Sequence, residues 1–270
     1  ENRFTRSDSV IVRAFRKRDT KNIYKPNLYV LSIGVSKYQN SLIKNLNVAD
    51  KDAIAIRDIF EVQEGKIYNK VQVKLFVNQN ATQGNLLDGL DWLEQEATEK
   101  DVAIIFIAGH GVNDDNGNFY FLSHEADLNK LRRTAVRFIH FEDIIKTLPS
   151  KVILLADACH SGNIMGNMRR DMTGAIKSII NSGIGQIIMT ATTGSGYSYE
   201  NQDWGHGAFT KALIEGLGTQ IKADYDNDNS VSVKEIDLYV TTRVKQLTKG
   251  KQKPTTIIPS SVPDFVLVHK

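Results

Sequence analysis

The sequence predicts an α/β fold in which a mostly parallel sheet of about six strands lies between helices. Three observations predict it. Five short apolar runs rich in Val and Ile recur along the chain without strict alternation, as strands covered on both faces do. Segments with helical spacing of apolar residues separate them. Of the 270 residues, 41% are hydrophobic and 24% charged, with a net charge of +3, which fits a folded soluble domain and not a disordered chain.

Leu28–Val35 is the first strand. Ala49–Phe60 follows as a helix, with Ala49, Ala53, Ile56 and Phe60 on one face. Val71–Val77 is the second strand, and Gln83–Thr98 is a helix that gathers Leu86, Leu87, Leu90 and Leu93. Val102–Ala108 is the third strand and Phe141–Leu148 a further helix. Val152–Ala156 and Ile187–Ala191 are the fourth and fifth strands. The helices Gly207–Leu217 and Val233–Leu247 come next, the second aligning Ile236, Val240, Val244 and Leu247. Phe265–Val268 reads as a final strand. Strand–helix alternation of this kind builds a parallel sheet sandwiched by helices.

Several classes are excluded. No apolar run approaches ~18 residues, so no transmembrane helix is expected. One cysteine permits neither an intrachain disulfide framework nor a cysteine-rich zinc site. Residues 1–27 carry Arg13, Arg16, Lys17, Arg18, Lys21 and Lys25, and their only apolar run is Val10–Val12. That is no signal-peptide pattern, and a cytoplasmic location is expected. The stretch reads as a solvated arm or linker ahead of a domain at 28–270. A nucleic-acid-responsive arm is the alternative, but no groove-reading motif accompanies it, so direct contact with nucleic acid is not expected.

The chemistry gathers at two strand ends. The third strand ends Gly109-His110-Gly111, and the fourth ends Asp157-Ala158-Cys159-His160-Ser161-Gly162. Parallel neighbours would bring these carboxyl ends together, at the edge where open α/β sheets bind ligands. A thiol is mostly protonated at neutral pH, and the thiolate is the nucleophile. An imidazole beside it takes the proton and later protonates the leaving amine. His110 and Cys159 are therefore the candidate dyad. The amides of Gly111 and Cys159 are candidate oxyanion donors. Glycines at 109, 111 and 162 read as clearance for a peptide. The structural alternative is a packed cysteine and a satisfied histidine. His160 is the other candidate base, but neighbouring side chains on a strand point apart.

The segments YVLSIGVSKY, LNVADKDAIAI, IIFIAGHGV, ILLADACHSGN, ATTGSGYSYE and GHGAFTKALIEGL resemble the caspase-like cysteine peptidases, in particular the metacaspase and prokaryotic orthocaspase branch. The resemblance runs from about residue 28 to 217, and His110 and Cys159 stand 49 residues apart, near the ~50 of caspases. It implies a three-layer α/β/α sandwich, a larger part at 28–168 and a smaller one at 171–270. It also implies a regulated endopeptidase that works without a required cofactor, on protein or peptide substrates, with regulatory domains or partner proteins. Asp157 stands where caspases carry Gln, which favours the branch that cuts after Arg or Lys. In that branch the matching positions for the pocket are Asp157 and Asp52. Two carboxylates suit a basic side chain through charge-assisted hydrogen bonds. Helix N-terminal charge is the simpler reading of Asp52. Ser198 and Tyr199 match the groove-lining loop, and Tyr197 and Trp204 could instead cap the core. Arg169 and Arg170 are candidates for self-cleavage, or simply two charges on a solvated loop. A catalytically silent binding or scaffold domain is the alternative for the whole chain.

Residues 224–235 place Asp224, Asp226, Asp228, Ser230, Ser232 and Glu235 at the ligand positions of an EF-hand loop, with Asn229 where Gly is usual. Calcium is thus a candidate ligand. An Asx-rich turn capping the next helix is the alternative, and the preceding helix ends too early for a regular helix–loop–helix.

Overall fold

The computed structural model describes residues 24–158, 172, 174, 176–177, 179, 186–192, 199–201 and 203–270. The elements are β1 (Leu28–Gly34), α1 (Ala49–Glu61), β2 (Val71–Val77), α2 (Gln83–Glu96), β3 (Val102–Gly109), β4 (Gly111–Asn113) and β5 (Phe119–Phe121). A four-residue turn of helix, α3 (Leu131–Thr134), leads to β6 (Val136–Arg137), α4 (Phe138–Thr147) and β7 (Lys151–Ala158). Then come β8 (Ile187–Thr190), β9 (Glu200–Asn201), β10 (His206–Gly207), α5 (Ala208–Leu217), β11 (Ser230–Ser232), α6 (Val233–Leu247), β12 (Thr255–Ile257) and β13 (Val266–His269).

The central sheet has the order β12-β8-β7-β3-β1-β2. It is parallel except for β12, which runs antiparallel to β8. Side chains alternate along each strand. Leu31, Ile33, Ile105 and Leu154 face α2 and α4, through Leu86, Leu90, Phe141 and Ile145. Val30, Ile104, Phe106 and Leu155 face α1, α5 and α6, through Ile56, Phe60, Phe209, Leu213 and Val240. These two cores make the three layers. Both faces being covered explains why β1 and β3 read as nearly unbroken apolar runs, whereas the half-buried edge strand β2 carries Gln72 and Lys74. Among the described residues, no helix is long and apolar enough to cross a membrane.

Two expectations are corrected. The last strand leaves the central sheet and pairs with β11 in a separate antiparallel ribbon. The sixth central strand is β12, three half-buried residues just after Pro254. A short edge strand presents one protected face and no long apolar run. The helix expected from Phe141 begins instead at Phe138, whose ring stacks on Phe141 with centroids 5.7 Å apart. Residues 111–137 also form a small antiparallel sheet, β4-β5-β6, that the strand–helix pattern does not predict.

Candidate active site

The β3–β7 ladder sets the frame. Its register pairs Ala108 with Asp157 and Gly109 with Ala158. His110 is the next residue on one side. On the other side the next residue is Cys159, which lies outside the described residues, as do His160, Gly162, Arg169, Arg170, Tyr197 and Ser198.

His110 is buried, with 1% of its surface exposed. Three contacts fix it. Its ring stacks on Tyr38 with centroids 5.2 Å apart. Its backbone N–H donates to the Tyr38 hydroxyl at 2.9 Å, and that hydroxyl donates to the Val35 carbonyl at 3.1 Å. Its Nε2 lies 2.7 Å from the Lys44 carbonyl oxygen. A carbonyl only accepts, so Nε2 carries the proton and Nδ1 is the basic nitrogen of the neutral ring. Burial pushes the Tyr38 phenol far above its ordinary range, so it stays a neutral donor.

Gly111 opens β4 opposite Phe121. Leu122 N–H donates to the His110 carbonyl and Asp114 N–H to the Asn118 carbonyl, both at 2.9 Å. Hydrogen-bonded pairs alternate along such a ladder, so Gly111 sits between them with its N–H turned away from β5. For Gly109 and Gly111 the clearance argument is corrected. A Cβ on Gly111 would lie 2.1 Å from the Phe119 ring, and one on Gly109 would lie 3.0 Å from Phe121. Aromatic rings of the small sheet occupy the space that the sequence assigns to a peptide.

Asp52 and Asp157 come together. Asp52 sits in the first turn of α1 and Asp157 at the end of β7, and both are buried. Their Oδ2 atoms lie 3.3 Å and 2.9 Å from where a Gly207 Cβ would be. Thr210 Oγ1 on α5 donates to Asp157 Oδ2 at 3.4 Å. Gly207 N–H donates to Asp52 Oδ2 at 3.3 Å, and His206 Nδ1 lies 2.7 Å from Asp52 Oδ1. Burial pushes the Asp52 carboxyl up to about 6 against the opposing pull of His206. Asp50, two residues earlier, behaves oppositely. Burial raises it, but hydrogen bonds from Ser36 and Asn78 outweigh that and hold it below the usual carboxylate range. Asp50 therefore ties the loop after β1 to α1.

Two groups were missed by the sequence. His206 repeats the Gly-His-Gly triplet of 109–111, and that repetition was the available signal. Glu200 Oε2 accepts from the Asn47 backbone N–H at 3.2 Å and from Asn47 Nδ2 at 3.1 Å. It thereby joins β9 to the loop whose Lys44 carbonyl holds His110. Tyr199 and Trp204 pack on the edge of the α1–α5–α6 core, and Lys251 lies over the Tyr199 ring at 5.9 Å.

The acidic loop bonds within itself, to the start of α6 and to β13. Carboxylate oxygens of Asp224, Asp226 and Glu235 lie within 4.8 Å of one another. Asp224 and Asp226 accept from the Asp228 N–H, and Asp228 from the Ser230 N–H. Asn227 and Asn229 adopt left-handed φ of 60° and 67°. Glu235 completes a capping box with Ser232 at the start of α6. These bonds form a turn that leads into a helix cap, and the three carboxylates stay near enough to one another to share an ion.

A family model of the caspase domain, a cysteine peptidase group, matches residues 28–265. A search of curated proteins finds no match. The crystal structure of a protein from Geobacter sulfurreducens is similar, with a TM-score of 0.61 and 12% identity over 88% of this chain and 95% of that one. At that identity the likeness concerns the fold alone.

Proposed function

Because the chain belongs to the caspase-domain family of cysteine peptidases, we propose that it is an endopeptidase that cuts proteins after Arg or Lys. Cys159 is the nucleophile. Its Sγ–H proton passes to His110 Nδ1 as sulfur attacks the scissile carbonyl. The imidazolium then protonates the leaving amine, and water hydrolyses the thioester to release the acid and restore the thiol. Support comes from the Gly109–Ala158 register, one residue short of both groups on each strand, and from the Nε2–Lys44 contact that selects Nδ1 as the base. The outward amide of Gly111, with that of Cys159, suits an oxyanion.

The observation that carries the basic preference is the convergence of Asp52 and Asp157 on Gly207. Two carboxylates converging on one point suit an Arg or Lys side chain through charge-assisted hydrogen bonds. The same preference makes the bonds after Arg169 and Arg170 candidates for self-cleavage. Fluorogenic coumarin peptides ending in Arg, Lys or Asp test the reading. Arg and Lys peptides should be hydrolysed and the Asp peptide left intact. Asp157→Ala should lose at least about 100-fold in kcat/KM on Arg peptides while its circular dichroism and melting stay native. Unchanged Arg cleavage by that variant would refute the pocket. A folded wild-type protein with no turnover would point to the scaffold alternative.

A further inference from the structure

His206 lies on β10, antiparallel to β9 and directly before α5. Its side chain is 22% exposed and its Nδ1 touches a carboxylate whose side chain is 3% exposed. The imidazole thus reaches from the solvent rim into the buried pair of acids. The elements packed on β10 are α1, α5 and β9. Asp58, Lys66, Lys211, Glu215, Lys222, His269 and Lys270 line one cavity with His206, Glu200 lies on the paired strand, and Asp52 and Asp157 meet at Gly207. Lys211 lies 3.7 Å from Glu215, on its own helix. No other cationic side chain on these elements approaches Asp52 within ion-pair distance among the described residues. The imidazole is placed to offset the charge of Asp52.

We propose that His206 is the resident counter-ion of the basic-side-chain pocket and sets the pH range over which it accepts substrate. With both nitrogens protonated, His206 neutralises Asp52 and opposes an arriving Arg or Lys. After Nε2 loses its proton, Nδ1–H still donates to Asp52 Oδ1, and the carboxylate charge is left to the substrate. The inference rests on the reading of Asp52 and Asp157 as the substrate pocket. Linkage makes the coupling reciprocal: a bound cation must lower the proton affinity of His206 by the same factor by which the proton weakens the cation.

The test is a histidine NMR titration of the full chain as Cys159→Ala, with the His206 signal assigned by comparison with His206→Asn. The probe is benzamidine, a mimic of the arginine head group. Saturating benzamidine should lower the His206 titration midpoint by about one unit or more, a tenfold coupling. KM for Arg peptides of the wild-type enzyme should rise by at least that factor as pH falls through the same range, where Asp52 also takes up its proton. A midpoint unmoved by bound benzamidine overturns the counter-ion role and leaves the pocket standing. No benzamidine binding at any pH overturns the pocket, and the inference with it. If His206→Asn misfolds, His206→Gln serves for assignment, since it too removes the one signal.

Discussion

At the residue scale the most consequential group is Asp52. Its carboxyl is pushed up to about 6 by burial, which the hydrogen bonds from His206 and Gly207 offset only in part. An unfolded Asp titrates near ~3.9. Between those values the native state holds a proton that the unfolded state has lost, so stability falls as pH rises from about 4 to about 6. Above that window the fold carries the full cost of an ionised, buried carboxylate. Asp52→Asn should therefore raise stability at pH 7 by on the order of 1–3 kcal/mol, or a few degrees in melting temperature, with no gain near pH 3.5. It should also weaken cleavage after Arg. A variant less stable than wild type at pH 7 would contradict the placement. In the proposed pocket activity and stability pull apart, since the carboxylate would serve a cation from outside the fold. The position of Asp52 was legible from the start of the helix after the first strand. Its partner was not, because His206 is 154 residues away and nothing local to either residue signals the pair.

At the scale of elements, the small sheet of β4, β5 and β6 decides how β3 ends. Phe119 fills the space beside Gly111. Gly111→Ala should cost about 1–3 kcal/mol through overpacking, measured as a lower denaturant midpoint at unchanged slope. Adding Phe119→Leu should return part of the loss. If Gly111→Ala melts like wild type, the ring does not hold that glycine's place. The central strands β1, β3, β7 and β8 were legible because each is an apolar run covered on both faces, and β2, a half-buried edge strand, because Val71, Val73, Leu75 and Val77 alternate along it. The edge strand β12 was hidden by its shortness and partial exposure. The aromatic β5 was hidden by its length of three residues. The acidic loop illustrates a different ambiguity. One spacing of carboxylates serves both an ion-binding loop and a helix cap, and the bonds around Glu235 are those of a cap.

On the scale of the whole molecule, strand order places chemistry at one edge. The sheet puts β3 and β7 side by side, and α1 and α5 lie together on one face. That arrangement brings the end of β7, the first turn of α1 and the entry to α5 to the Gly207 neighbourhood. Alternation of strands and helices was enough to foresee the mostly parallel sheet. It was not enough to foresee that the loop after β1 would hold His110 through a backbone carbonyl, since any residue type offers that oxygen. The central claim is a thiol nucleophile served by His110 beside a pocket for a basic side chain. It is tested most directly by labelling the wild-type protein with an Arg-ended peptidyl chloromethylketone and mapping the product by mass spectrometry. The account predicts one adduct, on Cys159, lost in His110→Ala and absent with the Asp-ended reagent. Labelling at another residue, or equal labelling by the two reagents, would contradict it.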